Sequence, residues 1–97
     1  MIRARFSSAA ERDVLEAQRY YARQSPGLDL SFKAELDQVL TQIRTYPASY
    51  PIVHEEIRRA NLSKFHFGVF YVQRRDHVFV LGVVHHARHP RTWKRRW

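Results

Sequence analysis

Cysteine is absent from this sequence of 97 residues. The chain therefore has no disulfide bond, thiolate metal ligand or cysteine nucleophile, and a reducing cytosol is its natural compartment. Long apolar runs are missing as well, because no stretch approaches the ~20 apolar residues that a membrane-spanning helix needs. The first residues, Met1–Phe6, lack the apolar core of a secretory signal. We therefore expect a cytosolic protein without a membrane partner.

Acidic residues are scarce in the second half of the chain. Residues 51–97 contain three Asp and Glu against ten Lys and Arg, whereas residues 1–50 contain six against seven. The second half also holds all six histidines and both tryptophans, and no acidic residue follows Asp76. This asymmetry favours a scaffold that presents a basic surface to an anionic partner. A globular domain with a solvated basic tail is the alternative that composition leaves open.

The length of the chain predicts one folded domain over residues 1–97. Apolar residues make up 44% of the sequence and aromatic residues 13%, which argues against intrinsic disorder. We find no internal repeat and no low-complexity segment that would divide the chain further.

The first half of the sequence predicts a strand and two helices. Ile2–Phe6 alternates apolar and basic residues, as a strand with one buried face does. Ser8 and Glu11 have the spacing of a capping box, so we expect a helix from Ser8 to Gln24. Ser25 and Pro26 are expected to cap and begin a second helix, which Tyr46-Pro47 ends. Apolar stripes run along both helices, at Ala10, Val14, Ala17 and Tyr21 and at Phe32, Leu36, Val39, Leu40 and Ile43. Two helices joined by so short a turn should form an antiparallel hairpin.

The second half predicts a strand at Ile52–Leu62, where the period shifts toward two, and stronger strands at Phe67–Gln73 and Val78–His85, which are rich in Val, Phe and Tyr. The polar turn Arg74–His77 should join the last two as a β-hairpin. The expected order is β-α-α-β-β-β with a short basic C-terminal tail. This is an α+β fold, with the helices on one side of a mostly antiparallel sheet and a three-strand meander at its end.

Nearly the whole chain resembles the RelE/ParE superfamily of bacterial type II toxins. The resemblance rests on the order and spacing of short motifs, which are Glu16-Ala17 with Tyr20-Tyr21, Pro26-Gly27-Leu28, Phe32, Glu35-Leu36, Pro47, Tyr50-Pro51, Arg58-Arg59, Leu62, Phe65–Tyr71, Val84–Pro90 and Trp93. It implies two N-terminal helices packed on a twisted antiparallel sheet, which agrees with the element order above. It also implies a toxin of the bacterial cytoplasm that forms a heteromeric complex with a cognate acidic antitoxin.

The resemblance implies one of two activities. RelE-like members cut mRNA on the ribosome, whereas ParE-like members are known as poisons of DNA gyrase and have no obvious catalytic set. The RelE-like pattern has an Arg after the aromatic residue that opens the strand at Phe67, and a Tyr near the C-terminus. Here Gly68 follows Phe67, and Trp93 stands at the place of the Tyr. An indole N–H cannot act as a phenolic acid or base. Both departures favour the ParE-like branch, a gyrase inhibitor that is no hydrolase and needs no cofactor.

Ribosome-dependent mRNA cleavage remains the alternative. It would need a base for the 2′-hydroxyl, an acid for the leaving oxygen and cations for the phosphorane. The candidates are His85, His86 and His89 for proton transfer, and Arg58, Arg59 and Arg88 for phosphate. The interpretation we favour gives the basic residues a binding role instead, with a target or antitoxin surface made of Arg58, Arg59, Lys64, Arg88 and Trp93.

Two further interpretations concern the C-terminal third of the chain. His85 and His89 are four residues apart, but Pro90 and the preceding strand argue against the helix that metal ligation would need there, so we expect no metal site. The tail Trp93–Trp97 has the composition of a nucleic-acid contact, and a non-catalytic nucleic-acid-binding module is the second alternative function. For Trp93 we favour packing on the sheet, with the charges of the tail left in solvent.

The antitoxin is expected to bind in two places. We expect it to lie on the outer face of the helical hairpin Ser8–Gln24/Ser25–Thr45 and along the sheet, with acidic residues facing Arg58, Arg59 or Arg88. Charge should speed association, while apolar contacts should set the lifetime of the complex.

Overall fold

The computed structural model describes all residues, Met1–Trp97, and has an α+β fold. Along the chain the elements are β1 (Arg3–Phe6), α1 (Ser8–Gln24), α2 (Leu28–Thr45), β2 (Ile52–His54), β3 (Ile57–Asn61), β4 (Phe67–Gln73), β5 (His77–His85) and α3 (Arg91–Lys94). The predicted α+β class and the predicted helical hairpin are confirmed. No helix is both long enough and apolar enough to cross a membrane.

The five strands form one open sheet in the order β1-β5-β4-β3-β2. Strands β2 to β5 are antiparallel neighbours, as expected of a meander. Strand β1 pairs in parallel with β5, from Arg3 opposite His77 to Phe6 opposite Val80. It covers only the first half of β5, so the second half of that strand, from Leu81 on, lies at an edge of the sheet.

The cap of the first helix differs from the prediction. Ser7, not Ser8, is the N-cap, because its hydroxyl oxygen accepts a hydrogen bond from the N–H of Ala10 at 3.0 Å. The hydroxyl also donates to the carbonyl of Leu81 at 3.2 Å. The capping box of Ser8 and Glu11 is therefore wrong, and Ser7 instead joins the start of the helix to the uncovered edge of β5.

The second helix begins two residues later than predicted. Gly27 has φ +83°, a left-handed conformation that glycine adopts without steric cost. The N–H of Leu28 donates to the carbonyl of Ser25 at 3.1 Å, which closes a turn over Pro26 and Gly27. The expectation that Ser25 caps the helix and Pro26 begins it is therefore wrong.

The predicted strand Ile52–Leu62 is in fact a tight hairpin of β2 and β3. The chain reverses at Glu55 and Glu56, and Glu55 has the left-handed φ of 51°. His54 then lies opposite Ile57, and Ile52 opposite Arg58. The meander consequently has four strands instead of three.

Two apolar clusters lie on opposite faces of the sheet. The larger cluster joins the helices to the sheet and includes Phe32, Leu36, Ile43, Val69 and Tyr71. Both predicted helical stripes contribute to it, so their role in core packing is confirmed. The smaller cluster lies on the other face and consists of Ile57, Phe70, Val72, Leu81, Val84 and Trp93.

The C-terminal tail folds across this second face. Helix α3 follows Pro90 directly, and the Trp93 side chain stacks on Phe70 with ring centroids 4.4 Å apart and an angle of 17° between the rings. Trp93 is only 7% exposed. The indole N–H of Trp97 donates to Glu55, in the turn between β2 and β3, at 2.8 Å. The prediction that Trp93 packs on the sheet is confirmed.

Candidate functional site

A basic cleft lies on the sheet face opposite the helices, where β5 ends and the tail begins. Its volume is about 160 Å³. Its polar lining consists of Arg59, His85, His86 and Arg88, and its apolar lining of Phe70, Val84, Pro90 and Trp93. We call this site the basic cleft. No acidic residue lines it, so the cleft is suited to an anion.

The side chain of Arg59 enters the cleft from β3. Its stem lies across Gly68 of the neighbouring strand, so closely that a Cβ at Gly68 would stand 3.1 Å from Arg59 Cδ. Glycine at position 68 therefore provides the space in which Arg59 lies. The Nε atom of Arg59 is buried and has no hydrogen-bond partner.

Three imidazoles gather at the end of the cleft. The ring of His66 is 6.3 Å from that of His85 and 6.4 Å from that of His86. Burial lowers the pKa of His86, and the positive charge of Arg59 and the neighbouring imidazoles lower it further. His86 Nε2 lies 3.1 Å from the side-chain oxygen of Asn61. His86 is therefore mainly neutral at neutral pH, in a field that favours a bound anion.

His85 and His89 also accept local hydrogen bonds. His85 Nδ1 accepts a hydrogen bond from the N–H of Ala87 at 3.0 Å, and His89 Nδ1 accepts one from the N–H of Arg91 at 3.1 Å. Both bonds stabilise the turn between β5 and α3. His89 is absent from the lining of the basic cleft, so of the three histidines predicted for proton transfer only His85 and His86 line it.

Two predicted binding residues lie elsewhere. Arg58 sits on the helical face of the sheet opposite Tyr71, and its Nη1 donates to the carbonyls of Ala48 at 3.2 Å and Tyr50 at 2.6 Å. Lys64 lies in the turn before β4, where its backbone N–H donates to Glu35 at 3.0 Å. The structure thus brings together Arg59, Arg88, His85, His86 and Trp93, and separates them from Arg58, Lys64 and His89.

A second concave surface lies between the two long helices. This helix groove has a volume of about 460 Å³ and is lined by the apolar residues Phe6, Val14, Leu15, Leu36 and Leu40 and by Glu11, Lys33 and Asp37. Leu15 is 51% exposed. The groove therefore exposes the apolar side chain of Leu15 beside core residues and has charges of both signs in its lining.

Two acidic residues hold the tail and the turn before β4 through contacts that the sequence does not predict. Asp13 of α1 accepts hydrogen bonds from Arg96 Nη1 at 2.6 Å and from the N–H of Val83 at 3.0 Å. It therefore holds the tail against the uncovered edge of β5. Glu35 of α2 accepts from the N–H and hydroxyl of Ser63, which fixes the turn before β4. Both contacts join residues far apart in sequence, which no local spacing indicates.

No three His, Asp or Glu side chains come together in a way that would hold a metal ion. The one phenol with a large pKa shift belongs to the core, because burial raises the pKa of Tyr71 to about 12. Its hydroxyl donates to the carbonyl of Pro47 at 2.6 Å. Tyr71 therefore anchors the loop after α2 and lies outside the basic cleft.

Comparisons with known proteins agree with this architecture. The sequence model of the ParE toxin of the type II toxin-antitoxin system parDE matches residues 4–90. A chain of a solved structure, the chromosomal ParDE TA system from P. aeruginosa, superposes with a TM-score of 0.63 at 14% sequence identity, over 88% of this chain and 96% of that chain. At this identity the superposition establishes the fold alone. No curated protein matches the sequence.

Proposed function

Because this chain belongs to the ParE toxin family of type II toxin-antitoxin systems, we propose that it arrests growth by binding DNA gyrase in the bacterial cytoplasm, and not by cutting RNA. One observation carries the choice between the two targets. The positions at which the ribonuclease branch has an Arg and a Tyr hold Gly68, beneath the stem of Arg59, and Trp93, stacked in the second apolar cluster.

The hydrogen bonds around the cleft also argue against proton transfer. A ribonuclease needs a base and an acid on opposite sides of the scissile phosphate. Here His85 Nδ1 is engaged by the backbone of its own turn, and His86 Nε2 is paired with Asn61. No carboxylate lines the cleft to orient either imidazole. We therefore assign the cleft a binding role.

Membership of the family implies a cognate antitoxin. We infer that its apolar side chains occupy the helix groove, since Leu15 is half exposed there and most of the groove lining is apolar. Its acidic side chains would face Arg59 and Arg88, which form no ion pair within the chain. Arg58 contributes less in this account, because its Nη1 is bound by two carbonyls.

Induced expression in a bacterial host tests the proposal. We expect growth arrest that co-expression of the antitoxin relieves, with no new 5′ ends in mRNA recovered from ribosomes. Arg88→Ala should weaken the arrest without loss of stability, because Arg88 is exposed. Arg23→Ala is the matched control, since it removes an equally exposed charge from the end of α1. If mRNA were cleaved at codons while growth stopped, the chain would be a ribonuclease and the proposal would be wrong.

A stability measurement completes this test. Leu36→Ala removes a fully buried core side chain and should cost about 2–5 kcal/mol of unfolding free energy. If Arg88→Ala lost as much stability as Leu36→Ala, its effect on growth would reflect unfolding, and the assignment of Arg88 to a binding surface would be wrong.

A further inference from the structure

The buried Nε of Arg59 is a charged donor without an acceptor in the folded chain. Burying a donor without a partner is costly, and native proteins seldom leave one in this condition. The guanidinium cannot lose its proton to reduce the cost. Since the stem is packed against Gly68, the side chain is held in this place by the neighbouring strand. Such a donor is suited to receive an acceptor atom from a ligand.

Cationic groups and hydrogen-bond donors surround this position from three segments. Arg59 comes from β3, His86 directly follows β5, and Arg88 belongs to the turn before α3, whereas the ring of His85 packs against Phe67. The five ion pairs of the chain include neither Arg59 nor Arg88. The acidic residues of the first half of the chain lie on the two helices; Asp13 and Glu16 line a neighbouring cavity together with Arg88, but neither lines the cleft nor forms an ion pair with Arg88. An anion in the cleft therefore meets several donors and no competing carboxylate of the lining.

The arrangement suits a phosphate better than a single carboxylate, so a phosphate and an acidic side chain of the antitoxin would compete for Arg59 and Arg88. A carboxylate is planar and is matched by one guanidinium, whereas donors that approach from several directions suit the oxygens of a tetrahedral phosphate. The exposed side chains of Arg91, Lys94 and Arg95 continue from the cleft along α3, and none of them forms an ion pair. Proteins bind the successive phosphates of a nucleic-acid strand with such rows of unpaired Lys and Arg side chains.

We propose that the basic cleft binds one phosphate group of a nucleic-acid strand through Arg59, His86 and Arg88, with the flanking phosphates along Arg91, Lys94 and Arg95. This goes beyond the proposed function, since it names a ligand of the toxin itself and holds whichever protein is the cellular target. In the bound state a small movement of the guanidinium exposes Arg59 Nε, which is buried in the free chain, and a phosphate oxygen accepts the hydrogen bond that it lacks. The neutral imidazole of His86 gains an anionic neighbour and takes up a proton more readily.

Nuclear magnetic resonance of the isolated toxin is the first test, with inorganic phosphate as the probe. We expect phosphate to shift the Nε–H resonance of Arg59 and to raise the pKa of His86. Arg59→Gln and Arg88→Gln should each weaken phosphate binding about tenfold, because each removes a charge-assisted hydrogen bond. Arg23→Gln removes the same charge from the far end of α1 and should leave binding within about twofold, since a distant exposed charge is screened.

Fluorescence anisotropy with a 5′-labelled single-stranded oligodeoxynucleotide is the second test. The oligonucleotide should bind at least about tenfold more tightly than inorganic phosphate, and its affinity should fall steeply with salt, because several phosphates are neutralised. Circular dichroism of each variant establishes that it is folded. If Arg59→Gln failed to fold, the Arg88→Gln affinity and the wild-type resonance of Arg59 would still decide the question.

Several results would overturn the proposal. Equal losses from Arg23→Gln and Arg59→Gln would show that only the overall charge attracts the anion. If phosphate did not shift the Nε–H resonance of Arg59, phosphate binding at Arg59 would be refuted. Equal affinities for phosphate and the oligonucleotide would refute the binding of flanking phosphates along Arg91, Lys94 and Arg95. Binding of an acidic peptide but of neither phosphate nor oligonucleotide would assign the cleft to a protein partner.

Discussion

Replacement of Trp93 by alanine tests whether the C-terminal tail belongs to the folded domain. Trp93 is 7% exposed, stacks on Phe70 and forms part of the second apolar cluster. Truncation of a buried Trp costs about 3–5 kcal/mol, which is a large share of the roughly 5–15 kcal/mol that a domain of this kind has. At about 4 °C or more per kcal/mol for a domain of this size, the melting temperature should fall by at least about 12 °C.

Urea unfolding followed by circular dichroism measures the loss. Trp97→Ala is the matched control, because Trp97 is 40% exposed and its contacts are one hydrogen bond to Glu55 and the guanidinium of Arg74 at 4.9 Å from its ring. The control should cost about 1 kcal/mol. Trp93→Leu keeps an apolar side chain at the site and should lose less than Trp93→Ala, which preserves the comparison if the alanine variant does not fold. A loss below about 1 kcal/mol for Trp93→Ala would refute the packing of the tail on the sheet.

Three further predictions concern charges. Burial raises the pKa of Glu35, but hydrogen bonds from Ser63 and from the backbone of Lys64 and Phe65 outweigh it, so the pKa lies below its ordinary value of 4.5. The stability that these bonds supply is present above pH 4.5 and is lost as the pH falls through the lowered pKa. Glu35→Gln should therefore make the unfolding free energy less dependent on pH in acid, and an unchanged pH dependence would be contrary evidence. A double-mutant cycle of Asp13→Asn and Arg96→Gln, whose pair is mostly buried, should give a coupling of about 1–3 kcal/mol, whereas additive losses would mean that the pair is solvated. Salt should slow association with the antitoxin much more than it speeds dissociation, and an equal effect on both rates, measured by stopped flow, would show that charge holds the complex.

The sequence predicted most of the fold because apolar residues recur with the period of the helix or strand to which they belong. The strand Phe67–Gln73 has the predicted bounds, and the first helix runs from Ser8 to Gln24 as expected. The misplaced boundaries depend on single backbone conformations. Gly27 and Glu55 both adopt left-handed φ, and nothing in the residues around Glu55 indicates that the chain reverses there.

The sequence predicts less of the candidate site than of the fold. The C-terminal cluster of His85, His86 and Arg88 follows from its position in the sequence, and these residues do meet in the basic cleft. Adjacent residues of a strand point to opposite faces, so Arg58 and Arg59 separate, but the sequence does not show which of them faces the helices. The place of Arg59 above Gly68 depends on the pairing of β3 with β4, and pairing is a tertiary property.

Inhibition of purified DNA gyrase by the purified toxin tests the central claim most directly. We predict that the wild-type chain stops supercoiling of a relaxed plasmid, that added antitoxin restores it, and that Arg88→Ala inhibits more weakly than Arg23→Ala. The same preparation should leave mRNA on programmed ribosomes uncut. Full supercoiling activity in the presence of toxin, together with mRNA cleaved on the ribosome, would contradict the account.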